Sequence, residues 1–173
     1  MDQKKALHEW KPIKAGAEVY VVRGTQVLMF RRADDAPMFP GFWVGPGGHV
    51  DEDEDFLAAA VREAYEETGV KVDTRNIKLK AIGVHRRTYR NEVWVLPIFL
   101  TRIGVETELT INREGKAAWV EIAELLKMDN VLPSAKYYFE HVLNDKPGVL
   151  YTNLVWNEKG LVEEASRSVD RDY

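Results

Sequence analysis

Short apolar stretches separated by turn residues dominate the chain, a pattern typical of β-structure. Six of these stretches are paired across turns and predict strands: 17–22 with 26–32, 77–88 with 92–102, and 150–156 with 161–165. Three other stretches are polar and lack this pattern. Residues 1–15 are predicted to form an N-terminal arm or first edge strand, residues 107–116 a loop, and residues 166–173 a frayed C-terminal tail. The pattern therefore indicates a chain built mainly from strands.

One amphipathic helix is predicted between residues 48 and 70. At ~100° per residue, its apolar side chains fall on a single arc that is expected to face the core: Leu57, Ala60, Val61, Ala64 and Thr68. The five acidic residues 51–55 precede this helix, where acidic side chains interact well with its N-terminal end, and Asp53 or Asp55 could cap it. Gly69 is expected to end it in the left-handed conformation.

Two further helices are predicted late in the chain. Residues 121–128 form a short one, and residues 134–143 carry apolar side chains at helical spacing behind Ser134 as N-cap. Strands lie on both sides of the first helix, and more strands and helices follow. This order predicts an α/β protein in which helices sandwich a mixed β-sheet.

Length and charge restrict the class of protein. A chain of 173 residues suits one domain over 1–173 with a real core, and a net charge of −4 argues against a nucleic-acid binder. The absence of cysteine is compatible with the cytosol, and a cytoplasmic location is expected. The N-terminus has no apolar segment of signal-peptide type, and the longest apolar run, Val93–Leu100, is short and contains Pro97, so no membrane span is expected.

Three carboxylates share one arc of the predicted helix, beside its core face: Glu63, Glu66 and Glu67. Like charges three and four residues apart repel, so a cation is expected among them. All-oxygen ligands suit Mg²⁺ or Mn²⁺ better than zinc. Upstream, Gly45-Pro46-Gly47-Gly48 offers unhindered backbone N–H groups to an anion. Together these features indicate a metal-dependent site for a diphosphate.

The same stretch resembles the complete signature of the Nudix hydrolases. Gly48 is followed after five residues by Glu54 and, seven residues later, by Arg62-Glu63-Ala64-Tyr65-Glu66-Glu67-Thr68-Gly69-Val70. Residues 40–48, PGFWVGPGG, are similar to the lead-in of many nucleotide-processing members, where this segment is a short strand feeding the glycine turn. The resemblance implies an α/β/α sandwich around a mixed sheet and metal-dependent hydrolysis of a nucleoside diphosphate linked to another group.

The resemblance also implies roles for particular residues. Glu63 and Glu67 are the first-choice metal ligands, with Glu66 a third or water-mediated ligand and Gly48 part of the metal site. The general base is one of these glutamates or Glu114, which alternatively is an ordinary loop glutamate. Glu54 and Arg62 are expected to support the site by ordering the loop and the carboxylates.

Contacts to the substrate are less determined by sequence. Gly47 and Gly48 are candidates for the phosphate, as are Arg31 and Arg32, although surface charge is the alternative for either arginine. Trp43 is a candidate for base or sugar contact, with burial in the core as the alternative. His49 could also contact phosphate.

The substrate class is predicted in order of preference. A (d)NTP or modified (d)NTP, cleaved to the monophosphate, comes first because of the lead-in. A nucleotide sugar comes second, since residues 125–139 are mildly similar to GDP-mannose hydrolases of this fold. A non-catalytic nucleotide-sensing module is the alternative of another class. Pairing of the terminal hairpin between the subunits of a homodimer is a further hypothesis.

Overall fold

A single mixed β-sheet organises the structure, a computed structural model that describes residues 12–104, 108–109, 111–160 and 162–170. Its strands are β1 Ile13–Arg23, β2 Gln26–Arg32, β3 Trp43–Val44, β4 Gly47–His49, β5 Lys78–Arg87, β6 Glu92–Arg102, β7 Ile111–Asn112, β8 Gly115–Glu121, β9 Val149–Trp156 and β10 Val162–Asp170. The main order across the sheet is β10-β9-β5-β6-β1-β2-β8-β7. The pairs β1–β6 and β5–β9 are parallel, and the other named pairs are antiparallel.

Strand β1 has two neighbours on one side. Its C-terminal end pairs with β2, where Val22 faces Val27. Its N-terminal end pairs with β4, where Ala17 faces Gly48 and Glu18 faces Gly47. The predicted short strand is present as β3, but the predicted glycine turn is in part a strand, because the glycine strand β4 is inserted into the sheet beside the start of β1.

Helices cover both faces of the sheet, as the order of predicted elements indicates. Helix α1, Phe56–Thr68, packs against one face together with Val19, Val21 and Leu28. Helix α2, Ile122–Leu125, follows β8 in the chain. Helix α3, Phe139–Leu143, comes later and packs with Tyr20 and Leu100 on the opposite face of the sheet. The predicted α/β/α arrangement is confirmed.

The predicted helix over 134–143 is interrupted. A 3₁₀ segment at Pro133–Tyr137 is followed by α3, and Tyr138 between them has φ −124°, outside the helical range. Ser134 lies inside the 3₁₀ segment rather than capping a helix. The side chains of Tyr138 and Phe139 are fully buried, so packing of these two large rings takes precedence over a continuous helix.

Three other expectations need correction. The predicted tail over 166–173 is paired up to Asp170, because β10 continues along β9 past a register shift between Glu164 and Ser166. The predicted loop over 107–116 contains β7, which pairs with the start of β8. The predicted helix over 121–128 has only one turn, α2. Parts of the arm, loop, hairpin and tail predictions fall on residues outside the described ranges: 1–11, 105–107, 110, 161 and 171–173.

None of the helices in the described part of the chain has the length and apolar character needed to cross a membrane.

Candidate active site

Helix α1 begins and ends where its flanking residues dictate. Asp55 is the N-cap, and its Oδ1 accepts hydrogen bonds from the backbone N–H groups of Leu57 and Ala58, each at 2.8 Å. Gly69 ends the helix with φ 77°, and its N–H bonds to the Tyr65 carbonyl, as predicted. These two caps fix which residues of the helix face the glycine strand.

The face of α1 that meets the sheet includes a carboxylate. Ala59, Ala60, Ala64 and Thr68 are buried there, but so is Glu67, which is only 6% exposed. Leu57 and Val61, predicted for the core face, are half-buried at its border. The small alanines let the helix approach β1 closely, and this approach brings Glu67 against the backbone of β4.

Arg62 connects the acidic residues around the helix. Its Nε and Nη2 donate to the two oxygens of Glu54 at 2.7 and 2.9 Å, a bidentate pair. Its Nη1 donates to Glu63 at 2.9 Å and to Glu66 at 3.0 Å, and Nη2 also reaches the His49 carbonyl at 3.0 Å. One guanidinium thus holds the loop before the helix and two of the three signature carboxylates, which agrees with a supporting role.

Glu63 and Glu67 contact the glycine strand directly. The backbone N–H of Gly47 donates to Glu67 Oε2 at 3.0 Å. A Cβ atom at Gly48 would stand 2.2 Å from Glu63 Oε1, so only glycine lets this carboxylate lie against the strand. The glycine pair therefore allows two carboxylates of the helix to approach the backbone of β4.

Burial changes the protonation of these two groups. It raises the pKa of Glu67 to about 8, although the hydrogen bond from Gly47 opposes the change. Burial also raises the pKa of Glu63, against the effect of Arg62. Neighbouring carboxylates act in the same direction as burial, including Glu114 on both groups. Burial and the neighbouring acids thus both oppose negative charge on Glu63 and Glu67, and a bound cation would counteract both effects.

The oxygen donors suit a hard divalent ion in kind and location. In the described part of the chain, however, no three acidic or histidine side chains converge into a complete metal-binding group. The reason is visible in the contacts: Arg62 engages Glu63 and Glu66, and Glu67 bonds to Gly47. To bind an ion, these carboxylates must either turn away from Arg62 and Gly47 or contact the ion and these partners at the same time.

Glu114 lies near the same carboxylates although it is distant in sequence. It is held in the β7–β8 turn, where its N–H donates to Asn112 Oδ1 at 2.9 Å. Asn112 in turn donates to the carbonyl of Glu66 on α1 at 3.2 Å, which ties this turn to the helix. The structure therefore brings Glu114 within electrostatic range of Glu63 and Glu67.

The three other predicted substrate residues are placed differently from one another. Arg32 acts electrostatically on Glu67 and borders a cavity beside β4. Arg31 instead pairs with Asp34 at 2.7 Å. Trp43 pairs with Arg31 across β2–β3 and packs against the apolar core on the α3 side, and it is not one of the residues that line the cavity.

The cavity beside β4 has a volume of about 250 Å³ and lies on the sheet face opposite α1. Aromatic residues form much of its wall, including Trp94 from β6 and Trp156 from β9, with Phe39 from the loop before β3. Sequence reasoning did not single out these residues as site candidates. His49 also borders the cavity, with its ring 4.8 Å from that of Trp94.

Glu18 is a buried carboxyl that sequence reasoning also missed. It lines the cavity and is 8% exposed, and its Oε2 accepts hydrogen bonds from the hydroxyls of Tyr20 and Tyr138, each at 3.1 Å. Burial raises its pKa to about 7, opposed by the two tyrosines. A lone acid within the apolar run of β1 was the available signal.

A mixed sheet that carries a glycine strand, with a carboxylate-bearing helix on one face and an aromatic cavity on the other, defines a class of phosphate-processing α/β enzymes. Comparisons with known proteins agree with this class and identify the family. The NUDIX domain model matches residues 12–141. The chain therefore belongs to the Nudix hydrolase family, whose members generally use divalent metal ions.

Relatives and solved structures give the extent of the similarity. The chain is 31% identical over 109 residues to the nucleoside triphosphatase NudI of Escherichia fergusonii, covering 59% of this chain and 77% of that one. It is 37% identical over 78 residues to the m7GpppN-mRNA hydrolase NUDT17 of Danio rerio, covering 44% of this chain and 26% of that one, so it spans about a quarter of that relative's length. The crystal structure of a MutT protein from Bacillus halodurans matches with a TM-score of 0.74 and 28% identity, covering 91% and 97% of the two chains.

Proposed function

We propose that this protein hydrolyses a (d)NTP or modified (d)NTP to the nucleoside monophosphate and pyrophosphate, with Mg²⁺ as the preferred ion and Mn²⁺ as a substitute. The observation that carries the proposal is the arrangement around β4. Glu63 and Glu67 lie against the glycine strand on the α1 side, and an aromatic cavity opens beside the same strand on the other side. A nucleotide has both parts that such a site needs, a phosphate chain and a planar base.

Glu63, Glu66 and Glu67 would hold the ion, together with the backbone at Gly48. When bound, Mg²⁺ supplies charge neutralisation at the phosphate oxygens and lowers the pKa of a coordinated water. The guanidinium of Arg32 contributes donors for the phosphate chain, and the Gly47 N–H becomes a further donor when Glu67 turns from it to the ion. Arg62 keeps the carboxylates in position through its hydrogen bonds to Glu54 and Glu63.

The reaction consumes one water. Its oxygen forms a bond to one phosphorus of the α–β bridge, and the bond from that phosphorus to the bridging oxygen breaks. One proton of the water passes to a carboxylate, and the bridging oxygen leaves with the other phosphate group. The candidates for accepting the proton are Glu63, Glu66, Glu67 and Glu114, all near the same end of α1.

One relative supports this substrate class. NudI is named a nucleoside triphosphatase, and the chain covers 77% of it. The relative NUDT17 is named for a different substrate, m7GpppN-mRNA, but the similarity covers only 26% of it. Because NudI is covered more fully, a small nucleotide is the partner that we propose.

A nucleotide panel tests the proposal. The eight common (d)NTPs, GDP-mannose and ADP-ribose are incubated with Mg²⁺ or Mn²⁺, with and without chelator, and pyrophosphate, phosphate and monophosphate are quantified. We expect metal-dependent release of pyrophosphate and monophosphate from triphosphates. Turnover of GDP-mannose alone would replace the proposal by a nucleotide-sugar hydrolase, and tight binding without any release would replace it by a nucleotide sensor.

Glu67→Gln is the decisive variant. It keeps the shape of a buried side chain while removing a metal ligand, so turnover should fall by about 10²-fold or more with the fold retained. Glu52→Gln, which removes an exposed acid from the loop before α1, is the matched control and should keep wild-type turnover. Equal rates in both variants would contradict the assignment of Glu67.

A further inference from the structure

The aromatic cavity contains an arginine without a carboxylate partner. The guanidinium of Arg87, at the end of β5, lies 5.3 Å from the ring centre of Trp94 and 5.6 Å from that of Trp156. In the described part of the chain no acidic side chain forms an ion pair with it, and its hydrogen-bond contact is a weak one, 3.9 Å from Nη1 to the sulfur of Met38. Burial lowers the pKa of Arg87, and electrostatic attraction to Tyr89 and Glu92, which do not form an ion pair with it, opposes this effect.

Unpartnered polar atoms cluster around the same arginine. Arg87 Nε, Trp156 Nε1 and His85 Nε2 are buried and make no hydrogen bond to any described residue. His85 and Trp156 are 5% and 1% exposed, and both line the cavity. Buried polar atoms normally have partners, so three orphans on adjoining side chains of one cavity indicate groups that a ligand satisfies.

Charge and hydrogen-bonding type restrict what that ligand can be. Among the described residues, three charged side chains line the cavity: Arg32, Arg87 and Glu18. The carboxylate of Glu18 already accepts hydrogen bonds from the hydroxyls of Tyr20 and Tyr138. Arg87 occupies the cation position on both tryptophan rings, so a cationic base stacked there would meet a like charge. Trp156 Nε1 and Arg87 Nε are donors only, so they require acceptor atoms on the ligand, which an exocyclic carbonyl oxygen offers and an exocyclic amino group does not.

We propose that this cavity selects an uncharged, oxo-bearing nucleobase, and that Arg87 is the residue that determines this specificity, with Trp156 and His85 as its partners. The inference rests on the proposed function and adds the identity of the base to it. Guanine, hypoxanthine, uracil and thymine carry the required carbonyl oxygen, whereas the corresponding positions of adenine and cytosine carry an amino group. Stacking on the tryptophans and on the planar guanidinium supplies the rest of the binding.

Two pairs of closely matched nucleotides test the proposal. ITP and ATP differ at the 6-position of the base, oxo against amino. GTP and N7-methyl-GTP have nearly the same shape, but the second base is cationic. We expect kcat/KM of the wild-type protein to favour ITP over ATP and GTP over N7-methyl-GTP, each by at least about tenfold, since a site built to hydrogen-bond a group strongly rejects the analogue that lacks it.

Variants of Arg87 separate charge from geometry. Arg87→Met keeps the apolar stem and should bring both ratios within about threefold of unity, with the change mainly in KM. Arg87→Lys keeps the charge but not the planar fork, so it should retain the discrimination against N7-methyl-GTP and lose most of the preference for ITP. Arg90→Met is the matched control: Arg90 also contacts the Met38 sulfur at 3.9 Å but does not line the cavity, and both ratios should stay at wild-type values.

The outcomes distinguish this inference from the proposed function. Wild-type ratios near unity, or ratios that are the same in Arg87→Met and wild type, would overturn the inference while hydrolysis of triphosphates stands. If no nucleotide is hydrolysed, isothermal titration calorimetry of the same four nucleotides with Mg²⁺ reads the selectivity as Kd ratios, and equal Kd values would overturn it there. If Arg87→Met does not fold, Trp156→Phe, which removes the Nε1 donor and keeps an aromatic ring, must lower the ITP:ATP ratio.

Discussion

The buried carboxyl of Glu18 makes a measurable prediction about stability. In the folded protein it is 8% exposed, and burial raises its pKa from 4.5 to about 7. A group whose pKa is raised on folding stabilises the protein fully below its unfolded pKa, and this contribution is lost as the pH rises through the folded value. Glu18 should therefore favour folding at pH 4 and lose this effect between about pH 4.5 and pH 7.

The magnitude follows from the two pKa values. At about 1.36 kcal/mol per pH unit, the difference between 4.5 and about 7 corresponds to about 3.4 kcal/mol in full, of which about 2.5 kcal/mol is lost between pH 5 and pH 8. Glu18→Gln resembles the protonated carboxyl and cannot ionise. Relative to wild type, its free energy of unfolding should therefore rise by about 2.5 kcal/mol over the same interval.

Urea unfolding followed by circular dichroism at pH 5, 6, 7 and 8 measures this difference. The comparison between proteins is needed because His85 acts with the opposite sign: burial lowers its pKa from 6.5 to about 4, so its contribution grows as the pH rises from about 4 to 6.5 and is complete above that. Glu52→Gln removes an exposed carboxylate and should leave the pH slope of wild type unchanged. A difference between wild type and Glu18→Gln that stays constant from pH 5 to pH 8 would refute the reasoning.

Three further predictions concern the glycine strand and the arginine that orders the acids. In Gly48→Ala the new Cβ would stand 2.2 Å from Glu63 Oε1, which can move because it ends a flexible side chain. Turnover should therefore fall at least about tenfold while the melting temperature changes little. An unchanged kcat would argue against Glu63 as a metal ligand. In Gly47→Ala the new Cβ would stand 2.3 Å from the Ala17 carbonyl oxygen, so β1 and β4 must separate. Urea unfolding should then show that the free energy of unfolding falls by about 2 kcal/mol. An unshifted midpoint would contradict this close packing of β1 and β4. In Arg62→Lys a single ammonium replaces a guanidinium that makes five hydrogen bonds, so the free energy of unfolding should fall by about 1–3 kcal/mol and turnover should fall with it. Arg75→Lys, which changes an exposed ion pair with Asp73, is the control and should be neutral in both assays.

The helix and its supporting contacts were predictable because their information is local. Spacing along one helix determines that Glu63 and Glu67 lie one turn apart, and Gly69 ends the helix as its sequence position indicates. The family, predicted from the same stretch, and the α/β/α arrangement, predicted from the order of elements, are both confirmed. The burial of Glu67 was not predicted, since it depends on how closely the alanine face lets α1 approach the sheet.

The cavity residues could not be found in this way because pairing between distant strands assembles them. Arg87 and Trp156 are neighbours through the parallel β5–β9 pair, although 69 residues separate them in the chain. A tryptophan in a strand most often belongs to the core, and nothing in its local sequence shows whether a cavity lies beside it. The break at Tyr138 was missed for a related reason: helical spacing cannot show that two large rings must both be buried.

The three residues of β4 separate two acids that lie on opposite faces of the sheet. Gly47 pairs with Glu18 on the cavity side, and its N–H bonds to Glu67 on the helix side. Any displacement of this strand changes the surroundings of both acids at once. Attempts to change the proposed base specificity should therefore leave β4 intact and vary the ends of β5 and β9, where the residues proposed to recognise the base lie.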